Sequence, residues 1–432
     1  MAALNQPETL LRRLFERAVA TADPMRVVAE HLPPWPKGKL LVIGAGKASA
    51  RMAEAVEAHY GRCDGLVITR YGYGRPCEGI TIVEAAHPVP DAAGLAATAQ
   101  MLDMLTGLGP DDLVLALISG GGSALLCAPA FGLSLAEKQA VNAALLASGA
   151  PIAQMNLLRK HLSLVKGGQL ARAAFPARVL ALMISDVPGD DPSLIASGPT
   201  VGDASTAQDA LDVVQRWAVP LPGHALAALS QGSNVVPADD PVLATVDNLV
   251  IAAPSQSLRA AAELGAAEGC QVLILGDALE GEAREVGQAQ AKKALALSAA
   301  MEPGAKPILI LSGGELTVTR TGQGIGGPNA EFCLAAAIAL NEAAGIYAIA
   351  CDTDGADGAD EVAGAVIGPN TLRRARSAGC DPLAALAAHD SHSFFGQIGA
   401  QVVTGPTLTN VNDFRAILIL PQPARAAALP NR

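Results

Sequence analysis

The chain has 432 residues, half of them apolar and 16% charged, with a net charge of −11. That length leaves room for more than one core, and that apolar content excludes the disordered class. An acidic balance without any basic run excludes an extended nucleic-acid surface, and no stretch of ~18 uninterrupted apolar residues offers a membrane span.

In chain order, the first expected element is an amphipathic helix with Leu10, Leu11, Leu14, Phe15 and Val19 on one face and arginines on the other. It lacks the apolar core of a signal peptide, and the seven cysteines are scattered without CxxC spacing, so reduced thiols in the cytoplasm are expected. Strands are expected at 40–43, 65–69, 81–84, 113–118, 179–184, 248–252, 271–275, 307–311, 315–319, 347–350 and 417–420. Alanine-rich helical patterns separate most of them, which predicts an α/β class with parallel pairing and right-handed crossovers. The strands are continuously apolar because both faces of such a sheet are covered. The segment 315–319 follows its predecessor with almost no room for a helix and is expected as an antiparallel addition. Pro- and Gly-rich text at 219–244 marks a boundary, dividing the chain into domains at 1–238 and 239–432.

Five of these strands end in polar, Gly-rich text: GAGKAS (44–49), SGGGSALL (119–126), SDVPGDD (185–191), SGGE (312–315) and CDTDGADG (351–358). In open α/β sheets, ligands bind outside the carboxyl ends of the strands. The SGGGS run, Ser119, Gly120, Gly121, Gly122 and Ser123, lies between a strand and a helix expected to start near Ser123. Free backbone N–H groups there, with no Cβ in the way, form an anion cradle; the plainer reading is a tight turn. GAGKAS falls short of a dinucleotide fingerprint, because Ser49 stands in the third glycine's place and the next strand ends at Thr69–Arg70, not at an acid. It is not a P-loop either. What remains is Lys47 beside Gly46, a cation at a helix N-terminus, where it is locally unfavourable and more readily explained by a bound anion.

Two acidic clusters follow: Asp186, Asp190 and Asp191, then Asp352, Asp354, Asp357 and Asp360. Hard carboxylates on Gly-rich loops suit Mg²⁺ together with phosphate oxygens, whereas the second run fails the calcium-loop pattern because Ala363 stands at its twelfth position. A solvated face is the expectation for Asp360 and Glu361. The helix pattern at 156–174 carries Arg159, Lys160 and Lys166; Arg159, Lys166 and the backbone at Gly167–Gly168 either face an anionic substrate or are simply solvated.

Taken together, GAGKAS, EAAHPVPD, SGGGSALL, NLLRKHLSLVKGG, ISDVPGDDPSLIASGPT, SGGE, DTDGADG and VTGPTLTNVNDF resemble the glycerate 2-kinase family, the class II glycerate kinases with a C-terminal MOFRL domain. The resemblance runs in order from about residue 10 to 420. It implies a Rossmann-like, mostly parallel-sheet N-terminal domain, a second α/β domain with a mixed sheet, and an active site in the interdomain cleft. It implies ATP- and Mg²⁺-dependent phosphorylation of D-glycerate at the 2-hydroxyl, although some relatives carry the older label hydroxypyruvate reductase. Glycerate and ATP are the expected partners, with a homodimer as the expected assembly if there is one. Lys47 would contact the substrate carboxylate or the transferring phosphoryl group, and Asp186 or Asp190 would orient and deprotonate the attacking hydroxyl. The SGGGS run and Gly198 would hold nucleotide phosphates. Gly46, Arg159, Glu315 and Asn329 would hold substrate, and Asp352, Asp354 and Asp357 a metal.

One departure stands out. Where family members often read GGRNQE, this chain reads Gly326-Gly327-Pro328-Asn329-Ala330-Glu331. Proline cannot clamp a phosphate as arginine does. Two rivals share some of these features. A reductase would need an intact fingerprint and a histidine–carboxylate pair, and His87 is the one histidine beside a strand end. A sugar-acid sensor would need the cradles but not the lysine and the acidic clusters.

Overall fold

The computed structural model describes residues 3–358 and 361–421. The chain divides into two compact units, each with its own six-stranded sheet. The first unit is Asp23–Ala253 joined by Leu408–Asn410; the second comprises the chain up to Ala22, Pro254–Thr407 and the chain from Val411 on. This is not a single cut at 238/239. The N-terminal helix, Pro7–Thr21, buries Leu10, Leu11, Leu14 and Phe15 in the second unit, against the helix Pro254–Ala267 and that unit's sheet. Its apolar stripe was legible; which sheet would accept the stripe was not.

The first unit holds β1 (Leu40–Ala45), β2 (Asp64–Arg70), β3 (Ile80–Ala85), β4 (Leu113–Ser119), β5 (Arg178–Ile184) and β6 (Val246–Ala252). All pairings are parallel and the order is β3-β2-β1-β4-β5-β6. This is the doubly wound dinucleotide-fold order, in which the chain reverses direction across the sheet between β1 and β4. Every residue of β1 and β4 is buried, as a sheet covered on both faces requires. The core of this unit interleaves Ile43, Leu66, Ala116, Ile118, Ala181 and Met183. A crevice therefore opens where β1 and β4 diverge, at the two Gly-rich strand ends.

The second unit holds β7 (Gln271–Ile274), β8 (Ile308–Gly313), β9 (Ile346–Asp352), β10 (Gly364–Ile367), β11 (Gln401–Val402) and β12 (Asp413–Ile419), in the order β11-β10-β9-β12-β8-β7. Only β7 and β8 run parallel; the other neighbours are antiparallel. The mixed sheet matches the expectation, and the last strand lies in the middle of it. The expected strand at 315–319 does not form. β8 already has β7 on one edge and β12 on the other, so no open edge is left for a hairpin. Instead Thr317 makes an isolated bridge to Glu282, at the start of the helix Ala283–Ala300.

Candidate functional site

At the divergence of β1 and β4 the two Gly-rich turns are knitted together. The Lys47 N–H donates to the Gly120 carbonyl at 2.8 Å, and the Ala48 N–H to the Ser119 hydroxyl at 3.0 Å. Ser119 Oγ also meets Ser49 Oγ at 3.1 Å, and Thr69 Oγ1 donates to the Gly46 carbonyl at 3.1 Å. Gly46 adopts φ +147°, and a Cβ there would lie 2.0 Å from Ser119 Oγ, so only glycine lets the two turns approach this closely. Ser119 and Gly46 thus join the turns to each other and are buried in doing so.

The groups that line the crevice converge on Gly120 and Gly121. A methyl on Gly121 would lie 3.2 Å from His87 Nε2 and 3.3 Å from Lys47 Cγ. A methyl on Gly120 would lie 2.1 Å from Asp186 Oδ2 and 2.4 Å from Asn410 Nδ2. Asn410 donates to Asp186 at 3.1 Å and holds the carboxylate in place. Lys47, His87, Gly121, Gly120, Asp186 and Asn410 are therefore neighbours. Gly121 has φ +80° and precedes a single helical turn, Gly122–Leu125, which starts one residue before the expected Ser123. Among the described residues, no backbone acceptor is found for the N–H groups of Gly121, Gly122 and Ser123. Three amides without partners, a half-buried lysine and a histidine make a cradle suited to an anion.

The wall of the cradle is strained. Ala196, Ser197 and Gly198 follow one another at φ +51°, +64° and +60°, and Ser197 Oγ meets Ser123 Oγ at 2.8 Å. Left-handed alanine and serine cost about 1–3 kcal/mol each and persist only where surroundings enforce them. Gly198, expected to hold phosphate, gives its N–H to Ile195 at 2.9 Å and its carbonyl to Gly168 at 2.9 Å. It shapes the wall and has no amide left for a ligand. Asp190 also has positive φ, +55°, and its buried Oδ1 has no hydrogen-bond partner. An orphaned buried carboxylate oxygen is chemically fit for a cation or a hydroxyl proton.

The second unit gives most of its expected site residues other work. Asn329 is fully buried, and its amide nitrogen donates to Asp413 at 2.6 Å and to Asp357 at 3.3 Å, so it bridges two carboxylates, while its buried Oδ1 has no hydrogen-bond partner. Asp357 caps the helix Pro328–Leu340 from outside, accepting the N–H groups of Asn329 and Ala330 at 2.9 and 2.8 Å. Burial pushes its carboxyl up to about 7, so near neutral pH it is a poor metal ligand. Asp352 and Asp354 each accept a backbone N–H two residues on, closing tight turns. Among the described residues, no group of three His, Cys, Asp or Glu side chains is arranged to hold a metal, so the expected set of Asp352, Asp354 and Asp357 does not fit one. Asp360 lies outside the described residues. Glu315 is exposed at the end of β8, where the buried Arg415 holds the carbonyls of Gly313 and Gly314 at 2.6 and 2.8 Å. Pro328 is the first residue of its helix, where a missing N–H is no loss and φ is preset.

Two residues of the crevice were not singled out for it. His87 lies in EAAHPVPD, where the sequence supports a structural role and a site role equally, and Asn410 lies in TLTNVND, where nothing in the spacing marks it. A polar residue in each quoted motif was the only available signal.

Comparison with known proteins places the chain among relatives of known family. Residues 10–230 match a family described as a domain of unknown function, DUF4147, and residues 308–413 match the MOFRL family. The chain is 37% identical over 420 residues to a D-glycerate 2-kinase of Thermotoga maritima, covering 96% of this chain and 99% of that one. A crystal structure of a glycerate kinase from the same organism superposes with a TM-score of 0.86 at 36% identity, over 96% of this chain and all of that one. A protein of Agrobacterium vitis with a provisional hydroxypyruvate reductase name is 54% identical over 414 residues, 95% of this chain and 94% of its own length.

Proposed function

This chain belongs to the glycerate 2-kinase family, and on that premise we propose that it transfers the γ-phosphoryl group of ATP to the 2-hydroxyl of D-glycerate, giving 2-phosphoglycerate and ADP. It is an enzyme of the phosphotransferase class. The observation that carries the reading is the meeting of Lys47, the Gly121–Ser123 amides and Asp186 at the point where β1 and β4 diverge.

Phosphoryl transfer needs positioning and charge neutralisation more than covalent chemistry. The three amides receive nucleotide phosphate oxygens, and Lys47 neutralises charge on the phosphoryl group in flight. Asp186, fixed by Asn410 against Gly120, accepts the proton of the attacking 2-hydroxyl as its oxygen bonds to phosphorus and the bond to ADP breaks. Mg²⁺ would enter as part of the substrate, Mg·ATP, and the orphaned Oδ1 of Asp190, in the loop that follows β5, has the chemistry to meet it. Arg159 and Glu315 remain proposals for substrate contact.

A hydride-transfer reading is the alternative, because the first sheet has the dinucleotide order and one relative carries a reductase name. Against it, Ser49 fills the third glycine's place and bonds Ser119, and β2 ends at Arg70, with no acid for a ribose. The test is direct. Purified protein is incubated with D-glycerate and Mg·ATP, or with hydroxypyruvate and NADH or NADPH. The expected result is ADP release that stops with a chelator, with the phosphorus spectrum showing the 2-phosphate ester. Oxidation of the nicotinamide without ADP release overturns the proposal.

A further inference from the structure

The turn that carries the Gly121–Ser123 amides is poorly equipped to hold its own shape. It follows a run of glycines, which lose the most backbone freedom on ordering, and its helix spans only Gly122–Leu125. Within it, the N–H groups of Ala124, at 3.1 Å, and Leu125, at 3.4 Å, share the Gly121 carbonyl, and that of Leu126 meets the Gly122 carbonyl at 2.9 Å. An anion cradle works only when its donors are already in place, so the order has to come from outside the turn.

Lys166 supplies it. Its side chain is 1% exposed and reaches the back of the turn, where Nζ donates to the carbonyl of Ser123 at 2.7 Å and to that of Leu126 at 3.0 Å. Ser123 is the last residue of the cradle, and Leu126 ends the turn. Carbonyls at the end of so short a helix find no acceptor's partner within it, and once buried they need a donor from elsewhere. Burial first, and then Lys138, pushes the Lys166 pKa well below the usual lysine value. Charged or neutral, the amino group keeps at least two N–H donors, one for each carbonyl, so the contact needs no counter-ion.

The next two residues hold the other side of the cradle. Gly167 and Gly168, at φ +57° and +78°, give their N–H groups to the carbonyls of Ser197 at 3.1 Å and Gly198 at 2.9 Å, in the strained wall. A Cβ on Gly168 would lie 2.8 Å from that of Val236, so the close approach requires glycine. Three consecutive residues thus bind both the turn and the wall, which also meet through Ser123 Oγ and Ser197 Oγ.

We propose that Lys166 is a positioning residue for phosphate binding: by tying Ser123 and Leu126 to the segment that holds the wall, it keeps the Gly121–Ser123 amides aimed into the crevice without meeting the ligand itself. That the ligand is a nucleotide phosphate rests on the phosphoryl-transfer reading; that Lys166 orders the turn does not.

The test uses the full chain and the variants Lys166→Met, Lys166→Arg and Lys166→Gln. Leu229→Ala, which opens a cavity in the helical cluster of the same unit, controls for a general loss of stability. Amide hydrogen exchange of the ligand-free proteins is read at residues 124–126 and in β4, and ADP and pyrophosphate are titrated separately by calorimetry. Lys166→Met should speed exchange at 124–126 and weaken both ligands by at least about tenfold, the worth of the two hydrogen bonds lost, with β4 unchanged. Lys166→Arg keeps donors for both carbonyls and should recover most of each effect; Lys166→Gln, one bond shorter, should fall between. Leu229→Ala should leave both affinities within about twofold of wild type, although it melts lower. If Lys166→Met does not fold, the order of Lys166→Arg above Lys166→Gln in both readouts decides. Exchange at 124–126 that stays at the wild-type rate, or a loss of affinity no greater than that of Leu229→Ala, overturns the proposal. If wild type binds neither ADP nor pyrophosphate, the phosphoryl-transfer reading falls, and exchange at 124–126 alone decides whether Lys166 orders the turn.

Discussion

Replacing Gly120 by alanine separates the chemistry of the strand-end turn from its folding. Gly120 is buried but is not among the residues with positive φ, so alanine brings no backbone strain there. Its methyl would lie 2.1 Å from Asp186 Oδ2 and 2.4 Å from Asn410 Nδ2. Both are side-chain ends that can rotate away, so the cost to folding should sit at the low end of overpacking, about 1 kcal/mol. For a unit of this size that is a fall of about 2–4 °C in Tm. To clear the methyl, however, the two ends must retreat by about 1 Å, and a misplacement of that size costs about 100-fold in rate. The expected outcome is a fall of about 100-fold in kcat/KM with near-native melting, measured by ADP release and by calorimetry. Asp186→Asn should be similarly slow, and the double variant no slower than the slower single one, since both act on one group. Activity of Gly120→Ala within threefold of wild type would show that Asp186 does not act from this position. A fall in Tm of more than about 10 °C would show instead that the glycine serves folding.

Lys47→Ala should lower kcat/KM by about 100- to 1000-fold, the usual cost of one lost donor to developing charge, while Tm moves by no more than about 2 °C. A variant that keeps full activity removes Lys47 from the chemistry. The acid limb of stability should depend on Asp203: burial alone would raise its pKa, but Lys160 and Ser205 together hold it down at about 2. Since that lies below the unfolded value of about 3.9, the stabilisation is complete above pH ~4 and is lost as pH falls towards 2. Allowing for partial exposure it amounts to about 1–2 kcal/mol. The double variant Lys160→Met/Asp203→Asn should flatten the melting profile of the first unit over that range, and an unaltered acid limb contradicts the assignment.

Strands with continuous apolar text were legible because a sheet covered on both faces imposes it. All six strands of the first sheet were expected within three residues at either end, and their parallel pairing follows from the helices between them. β10 and β11 were not expected. They have four and two residues, GAVI and QV, too short for any periodicity, and they exist because β9 offers an edge. The segment at 315–319 has the composition of a strand, but pairing requires a free neighbour, and β8 has none. The N-terminal helix shows the same limit: its stripe fixes that it packs, not upon what.

The glycine turns were legible for a related reason. Three glycines in a row weaken any strand or helix, so their presence points to a close approach, and the structure supplies two: turn against turn at Gly46, and side chains against main chain at Gly120. The acidic runs misled because composition cannot say which oxygens are already engaged. Asp357 reads like a ligand in DTDGADG, yet the start of the helix Pro328–Leu340 takes both of its oxygens. The opposite error hides Lys138. In SLAEKQAVNAALL it reads as an ordinary lysine on an amphipathic helix, and nothing in the spacing separates it from a solvated one. Only the packing that buries it beside Arg159, among Leu133, Val141 and Leu145, separates it from a solvated lysine.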